Sequence, residues 1–63
     1  MNRAEFMKKL RTLLSDVEEN EREEALKFYE HYFEDAGEEN EQEVITSLGS
    51  PEKVAQTIKE GLK

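Results

Sequence analysis

The stretch EALKFYEHYFEDAG, residues 24–37, carries the strongest structural signal in this chain of 63 residues. Its apolar side chains recur at intervals of three and four, which places them on one side of an α-helix. The predicted buried side consists of Ala25, Leu26, Tyr29, Tyr32, Phe33 and Ala36. Gly37 stands where a helix-ending residue with left-handed backbone is favoured, so we predict a long helix over residues 18–36. Arg22 lies on the same side, and we expect its guanidinium to reach past the core or to pair with an acid.

A second amphipathic helix is predicted at the start of the chain, over residues 3–14. Its apolar stripe consists of Phe6, Leu10, Leu13 and Leu14, with Met7 at the edge. Asn2 and Glu5 have the spacing of a capping box, in which side chains satisfy the first backbone amides of a helix. Asp16 and Glu19 repeat that spacing, so we expect them to mark the start of the long helix.

Two shorter helices are predicted over residues 41–48 and 51–61. Their buried faces consist of Val44, Ile45 and Leu48 in the first helix, and of Val54, Ala55, Ile58 and Leu62 in the second. Asn40 and Glu43 have the capping-box spacing once more. Stop and start signals at every joint agree with the apolar periodicity, which predicts a defined all-α fold. We therefore expect one domain over residues 1–63, a compact bundle of four short helices.

The joint before the last helix has the sequence Gly49, Ser50, Pro51. Gly49 ends one helix, Ser50 is a good N-cap, and Pro51 stands at the first helical position, where its missing N–H costs nothing. One interpretation is that these residues only punctuate the chain. The other is that they also form a rigid corner that presents a recognition surface.

Composition restricts the functions open to this chain. Sixteen acidic residues against nine basic ones give a net charge of −7, and all but three of the acids lie within residues 16–43. Such a balance disfavours direct binding to nucleic acids and to anionic lipid, which need clustered lysine and arginine. The acidic region is interpreted either as a solvated face or as a docking surface for a basic protein partner.

Catalysis and metal binding are not expected. The chain has no cysteine and one histidine, His31, which should lie about 160° from the centre of the apolar side and face solvent. Acid–base chemistry by carboxylates needs two different environments, and a bundle of this size has little room for the pocket that would create them. We predict a non-enzymatic protein without cofactor or metal.

The aromatic residues of the long helix offer the clearest functional hypothesis. Phe28 lies about 100° from the centre of the apolar side, with Tyr32 between. Either the last helix or the chain end covers Phe28, or Phe28 and Tyr32 form an exposed, acid-rimmed patch for a partner. The predicted protein-interaction residues are Phe28, Tyr32, Asp35, Glu38, Glu39, Gly49, Ser50 and Pro51.

Two blocks of sequence and the first six residues together resemble the HAAS signalling domain. The blocks comprise residues 24–26, 28–30 and 32–37, and residues 43–45 and 48–55. One departure is Glu18, where similar sequences often carry proline at the start of the second helix. The resemblance implies an N-terminal, helical, cytoplasmic domain of a bacterial membrane protein, followed by transmembrane or sensory segments beyond residue 63.

The resemblance also implies a signalling partner, because genes for such domains tend to neighbour genes for PadR-type transcriptional regulators. The expected function is therefore a protein-interaction module that couples a membrane sensor to such a regulator. The main alternative is a homo-oligomerisation domain, in which Phe28 and Tyr32 pair across a two-fold axis. A weaker alternative is an acidic inhibitor that mimics DNA. Contact with a membrane is expected only through segments outside this chain, since no apolar run approaches the ~18 residues of a membrane span.

Overall fold

The computed structural model describes residues 1–61. Four α-helices follow one another in this part of the chain: α1 (Arg3–Leu13), α2 (Glu19–Ala36), α3 (Glu41–Leu48) and α4 (Pro51–Gly61). A 3-10 helix, Glu38–Asn40, joins α2 to α3 and was not expected from the sequence. The predicted all-α fold is confirmed, with helix ends within one residue of those expected. Leu62, predicted for the apolar stripe of the last helix, lies outside the described residues.

The core collects apolar side chains from every helix. Its buried members are Phe6, Met7, Leu10, Leu14, Leu26, Phe33, Val44, Ile45, Val54 and Ala55. The rings of Phe6 and Phe33 meet edge to face, with centroids 5.6 Å apart, and tie α1 to α2 at the centre. Tyr32 was expected on the buried side but is 44% exposed, because it lies about 100° around the helix from Phe33.

Two of the predicted caps are confirmed. The side chain of Asn2 accepts a 2.9 Å hydrogen bond from the amide of Glu5, and the Ser50 hydroxyl accepts one of 3.1 Å from the amide of Lys53. Pro51 occupies the first position of α4, as expected. These bonds satisfy amides that the helix itself leaves without a partner, so they fix where α1 and α4 begin.

Two other capping predictions are wrong. Glu18, not Asp16, caps α2, and its carboxylate accepts a 3.2 Å bond from the amide of Glu21. Because of the turn after α1, α2 begins only at Glu19. The Asp16 carboxylate lies outside the helix and binds Nζ of Lys59 at 2.9 Å. Asn40 makes no side-chain cap for α3: the 3-10 helix leads directly into α3, and the Asn40 amide group donates back to the carbonyl of Ala36.

Both interior glycines have backbone conformations that other residues avoid. Gly37 has φ +83° and Gly49 has φ +91°. The ψ of Gly37 is 161°, so the chain leaves α2 extended and does not adopt the left-handed helical conformation that the sequence suggested. A Cβ at Gly49 would lie 3.0 Å from Cδ of Lys53, which adds crowding to the backbone requirement.

Ion pairs and hydrogen bonds between helices show how the helices run relative to one another. Arg3 reaches Glu30, and Arg11 reaches Glu23, so α2 runs antiparallel to α1. Lys59 binds Asp16 just beyond the end of α1, which brings the end of α4 to the end of α1.

The helix α3 lies at the other end of α1. The amide of Arg3 donates to the carboxylate of Glu41, and the side chain of Gln42 donates to the carbonyl of Met1 at 2.7 Å. Across residues 1–61, none of the helices combines the length and apolar composition of a membrane span.

The one basic residue on the apolar side of α2 behaves as expected. Arg22 is partly buried, donates a 3.2 Å bond to the carbonyl of Val17 and lies 3.5 Å from the carboxylate of Glu23. Its guanidinium therefore closes the turn before α2 and pairs with an acid while its stem passes over the core.

Candidate protein-interaction surface

Phe28 and Tyr32 are the most exposed aromatic side chains of the described chain, at 61% and 44%. The ring of Phe28 meets the ring of Tyr29 edge to face, with centroids 5.1 Å apart, and Tyr29 itself packs against the core. The interpretation that the last helix covers Phe28 is wrong for residues 1–61; the other form of that interpretation, cover by the chain end, involves residues 62 and 63, which lie outside the described part of the chain. The helix α4 packs chiefly on α1, and its buried side chains join the core there, leaving the outer side of α2 open.

Two exposed acids extend the line of these aromatic rings. Asp35 follows Phe28 by seven residues and Glu24 precedes it by four, which places all of them with Tyr32 in an arc of about 80° around α2. We refer to Glu24, Phe28, Tyr32 and Asp35 as the outer stripe; all four are exposed. The sequence prediction missed Glu24, although its spacing of one turn before Phe28 could have identified it.

Two further predicted interaction residues lie in the 3-10 helix. Glu38 and Glu39 follow the end of α2 and are both exposed. They add negative charge after Gly37, where the chain changes direction, and their contact with a partner stays a prediction.

A different set of acids on α2 faces α1 and forms ion pairs with it. Arg3 lies 2.6 Å from Glu30 and 3.8 Å from Glu34, and Arg11 lies 2.8 Å from Glu23. We refer to Glu23, Glu30 and Glu34 as the paired side of α2. The centre of the paired side lies about 140° around the helix from Phe28.

Two pKa shifts report these contacts. The hydrogen bond to Glu30, together with the other nearby acids, raises the pKa of Arg3 against the opposing effect of desolvation. The hydrogen bond from Arg11 lowers the pKa of the Glu23 carboxyl. Both shifts favour the charged forms, which agrees with the ion pairs seen between α1 and α2.

The acids of the outer stripe have no such partners. Over residues 1–61, no ion pair includes Glu24, Asp35, Glu38 or Glu39. No lysine or arginine of α2 falls within the arc of the outer stripe, since Lys27 lies about 100° away from Phe28. The negative charge beside Phe28 and Tyr32 is therefore left for solvent or a partner to neutralise.

The other predicted interaction residues have structural roles in the joint between α3 and α4. Ser50 caps α4, Pro51 is buried, and exposed Gly49 has the positive φ that the turn requires. These roles agree with the interpretation that the joint only ends α3 and starts α4. Contact of these three residues with a partner stays a prediction.

The described surface offers shallow grooves between helices. The one between α1 and α2 has a floor that includes Met7 and Leu26 and walls of mixed charge. His31 is exposed, no polar or charged residue is buried, and no three acidic or histidine side chains of residues 1–61 converge to hold a metal ion. The outer stripe differs from these features because it combines exposed aromatic rings with exposed acids, and such a surface is suited to binding a protein.

Among protein families, the model of the HAAS family matches residues 5–57. Comparison with curated proteins gave no significant match, and neither did comparison with solved structures. The matched range includes α2, α3, most of α1 and more than half of α4, so it contains the whole outer stripe.

Proposed function

The chain belongs to the HAAS family, whose members are non-catalytic helical domains, and on that premise we propose that it is a protein-interaction module in bacterial signalling. The family is consistent with a signalling or interaction role. The finer proposal is that the module works in the cytoplasm and couples a membrane sensor to a PadR-type transcriptional regulator. Membership in the family supports this partner, together with the acidic charge of the chain.

One observation carries the proposal: Phe28 and Tyr32 are exposed one turn apart on α2, while the acids beside them form no ion pair with any of residues 1–61. Aromatic side chains that remain exposed next to each other are typical of surfaces that bind proteins. The rings would supply apolar contact area, and Glu24 and Asp35 would attract basic groups around it.

The proposed mechanism follows from charge. A transcriptional regulator binds DNA phosphates through lysine and arginine, so its DNA-binding surface is basic. An acidic module with net charge −7 is attracted to the same surface and competes with DNA for it. Binding would then release the regulator from its operator whenever the sensor makes the module accessible.

A competition experiment tests this function. The proposed PadR-type regulator is bound to its labelled operator, and the chain is added at low salt. We expect the DNA to be released and the effect to weaken as the salt concentration rises, because both contacts are electrostatic. An unrelated protein of similar negative charge is the control and should release little DNA. Absence of any association between chain and regulator at low salt would contradict the proposal.

The alternative function is homo-oligomerisation through the same aromatic residues. The exposure of Phe28 and Tyr32 on one line favours it, since two copies could enlarge a small core by pairing these rings. Against it, a two-fold axis through the outer stripe would bring the unpaired acids of both copies together. Sedimentation at micromolar concentration distinguishes the two: a dimer supports this alternative, and a monomer removes it.

A further inference from the structure

The outer stripe has the dimensions of a helix-binding surface. Glu24 and Asp35 lie eleven positions apart, a length of about 16 Å along α2. Phe28 and Tyr32 stand between them, one turn apart, so the apolar centre of the stripe is flanked by an acid at each end. A straight row of this kind matches the ridge of side chains along another helix better than it matches a compact ligand.

The negative charge around the outer stripe indicates that the molecule bound there carries basic groups. Within the described part of the chain, Glu24 and Asp35 form no ion pair, and Glu38 and Glu39 add negative charge beyond the end of α2. A second copy of this chain, a nucleic acid and an anionic membrane would each bring further negative charge to the stripe. Basic side chains would neutralise it, and arginine could also stack on the exposed ring of Phe28.

We propose that the outer stripe binds an amphipathic helix of a partner protein, whose apolar row covers Phe28 and Tyr32 and whose arginine or lysine side chains reach Glu24 and Asp35. This inference rests on the proposed function only in taking the occupant to be a protein segment. The paired side of α2 holds α1 and takes no part, because Arg3 and Arg11 already occupy its carboxylates.

A pair of synthetic peptides tests the surface without requiring the regulator. Each is an amphipathic helix of about 18 residues, long enough to populate the helical state, with leucines along one side. Arginines flank the leucines in one peptide and glutamates flank them in the other. Fluorescence anisotropy with the whole chain should show binding of the arginine peptide, weakening at high salt, and no binding of the glutamate peptide.

Single substitutions locate the contact. Phe28→Ser should weaken binding of the arginine peptide by about thirtyfold, as expected for an aromatic residue at the centre of an interface. Glu24→Lys should weaken it by about three- to tenfold and reduce its dependence on salt. Glu60→Lys makes the same change of charge on the exposed side of α4 and should leave binding nearly unchanged. Circular dichroism verifies that each variant is folded as the wild type is.

The possible outcomes separate this inference from the proposed function. Equal binding of both peptides, no binding of either, or equal effects of Glu24→Lys and Glu60→Lys would overturn the docking surface. A dimer of the chain that Phe28→Ser dissociates would overturn it in favour of a second copy. Failure of the regulator to bind, while the arginine peptide binds at Phe28, would instead remove the proposed signalling partner and leave the docking surface standing.

Discussion

Two sides of α2 carry acids in different surroundings. The paired side and the outer stripe each carry acids, but Arg3 and Arg11 form ion pairs with the first set, and over residues 1–61 no ion pair includes the second. The aromatic residues divide in the same way: Phe33 is 2% exposed and Phe28 is 61% exposed, although only five positions separate them.

This difference shows that acids on one helix can lie in two different electrostatic environments. On the paired side they hold α1 in place and contribute to the fold. On the outer stripe they add like-charge repulsion without a compensating contact, which is a feature expected of a surface that another molecule covers. Substitutions matched between the two sides therefore distinguish residues needed for folding from residues free to bind.

The largest difference is expected between the two phenylalanines. Phe33→Ala removes a buried ring that meets Phe6 edge to face, and we expect it to lower the free energy of unfolding by about 3–5 kcal/mol. Phe28→Ala alters an exposed side chain and should change that free energy by less than about 0.5 kcal/mol. Urea denaturation followed by circular dichroism measures both. Similar losses would mean that Phe28 is covered.

Much of this fold could be predicted from the sequence. The spacing of Phe6 and Leu10, and of Leu26 and Phe33, fixed the buried faces because helical periodicity is a local property. The Ser50–Pro51 signal located the start of α4 for the same reason. The capping role of Asp16 was wrong because the turn after α1 places Glu18 at the N-cap of α2. The capping role of Asn40 was wrong because the 3-10 helix before α3 turns its side chain back to the carbonyl of Ala36, and a spacing rule does not detect such tertiary and local detail.

The candidate surface was less predictable. Phe28 and Tyr32 were identified as a pair, but the sequence left open whether another element covers Phe28. Sorting the acids of α2 into paired and unpaired sets required knowing that Arg3 and Arg11 on α1 face Glu30 and Glu23. That sorting depends on tertiary packing, which short-range patterns do not encode.

A smaller difference is expected between charges on the two sides. Arg3→Gln removes the partner of Glu30 and Glu34, and we expect it to lower the free energy of unfolding by about 1 kcal/mol. Asp35→Asn removes an unpaired charge and should leave stability unchanged or raise it slightly. Thermal unfolding at low and high salt is the measurement, and the Arg3 effect should shrink as salt screens the pair. An equal loss in both variants would show that the outer stripe also supports the fold.

The smallest expected effect is on how stability depends on pH in the acidic range. Because Arg11 lowers the pKa of Glu23 in the folded state, this carboxylate stabilises the fold above the ordinary glutamate pKa, about 4.3. That contribution is lost as the pH falls through the lowered pKa. Glu23→Gln should therefore reduce stability near neutral pH and show a smaller decline toward low pH than the wild type.

The control for this comparison is Glu24→Gln, which removes a carboxylate of the outer stripe instead. It should keep the acid-dependent decline of the wild type, since no ion pair is lost. Denaturation midpoints measured across the acidic range compare the three proteins. If Glu23→Gln follows the wild-type curve throughout, the Arg11–Glu23 pair contributes nothing to folding in solution.

We predict that the outer side of α2 is free in the isolated chain and is the side that a partner covers. Amide and aromatic NMR signals of the labelled chain, followed during titration with the proposed PadR-type regulator, provide the measurement. We expect the largest changes at Phe28, Tyr32 and Asp35, with little change at Glu23 or along α4. Changes confined to α4 or to the joint at Gly49, with the signals of Phe28 and Tyr32 unmoved, would contradict the claim.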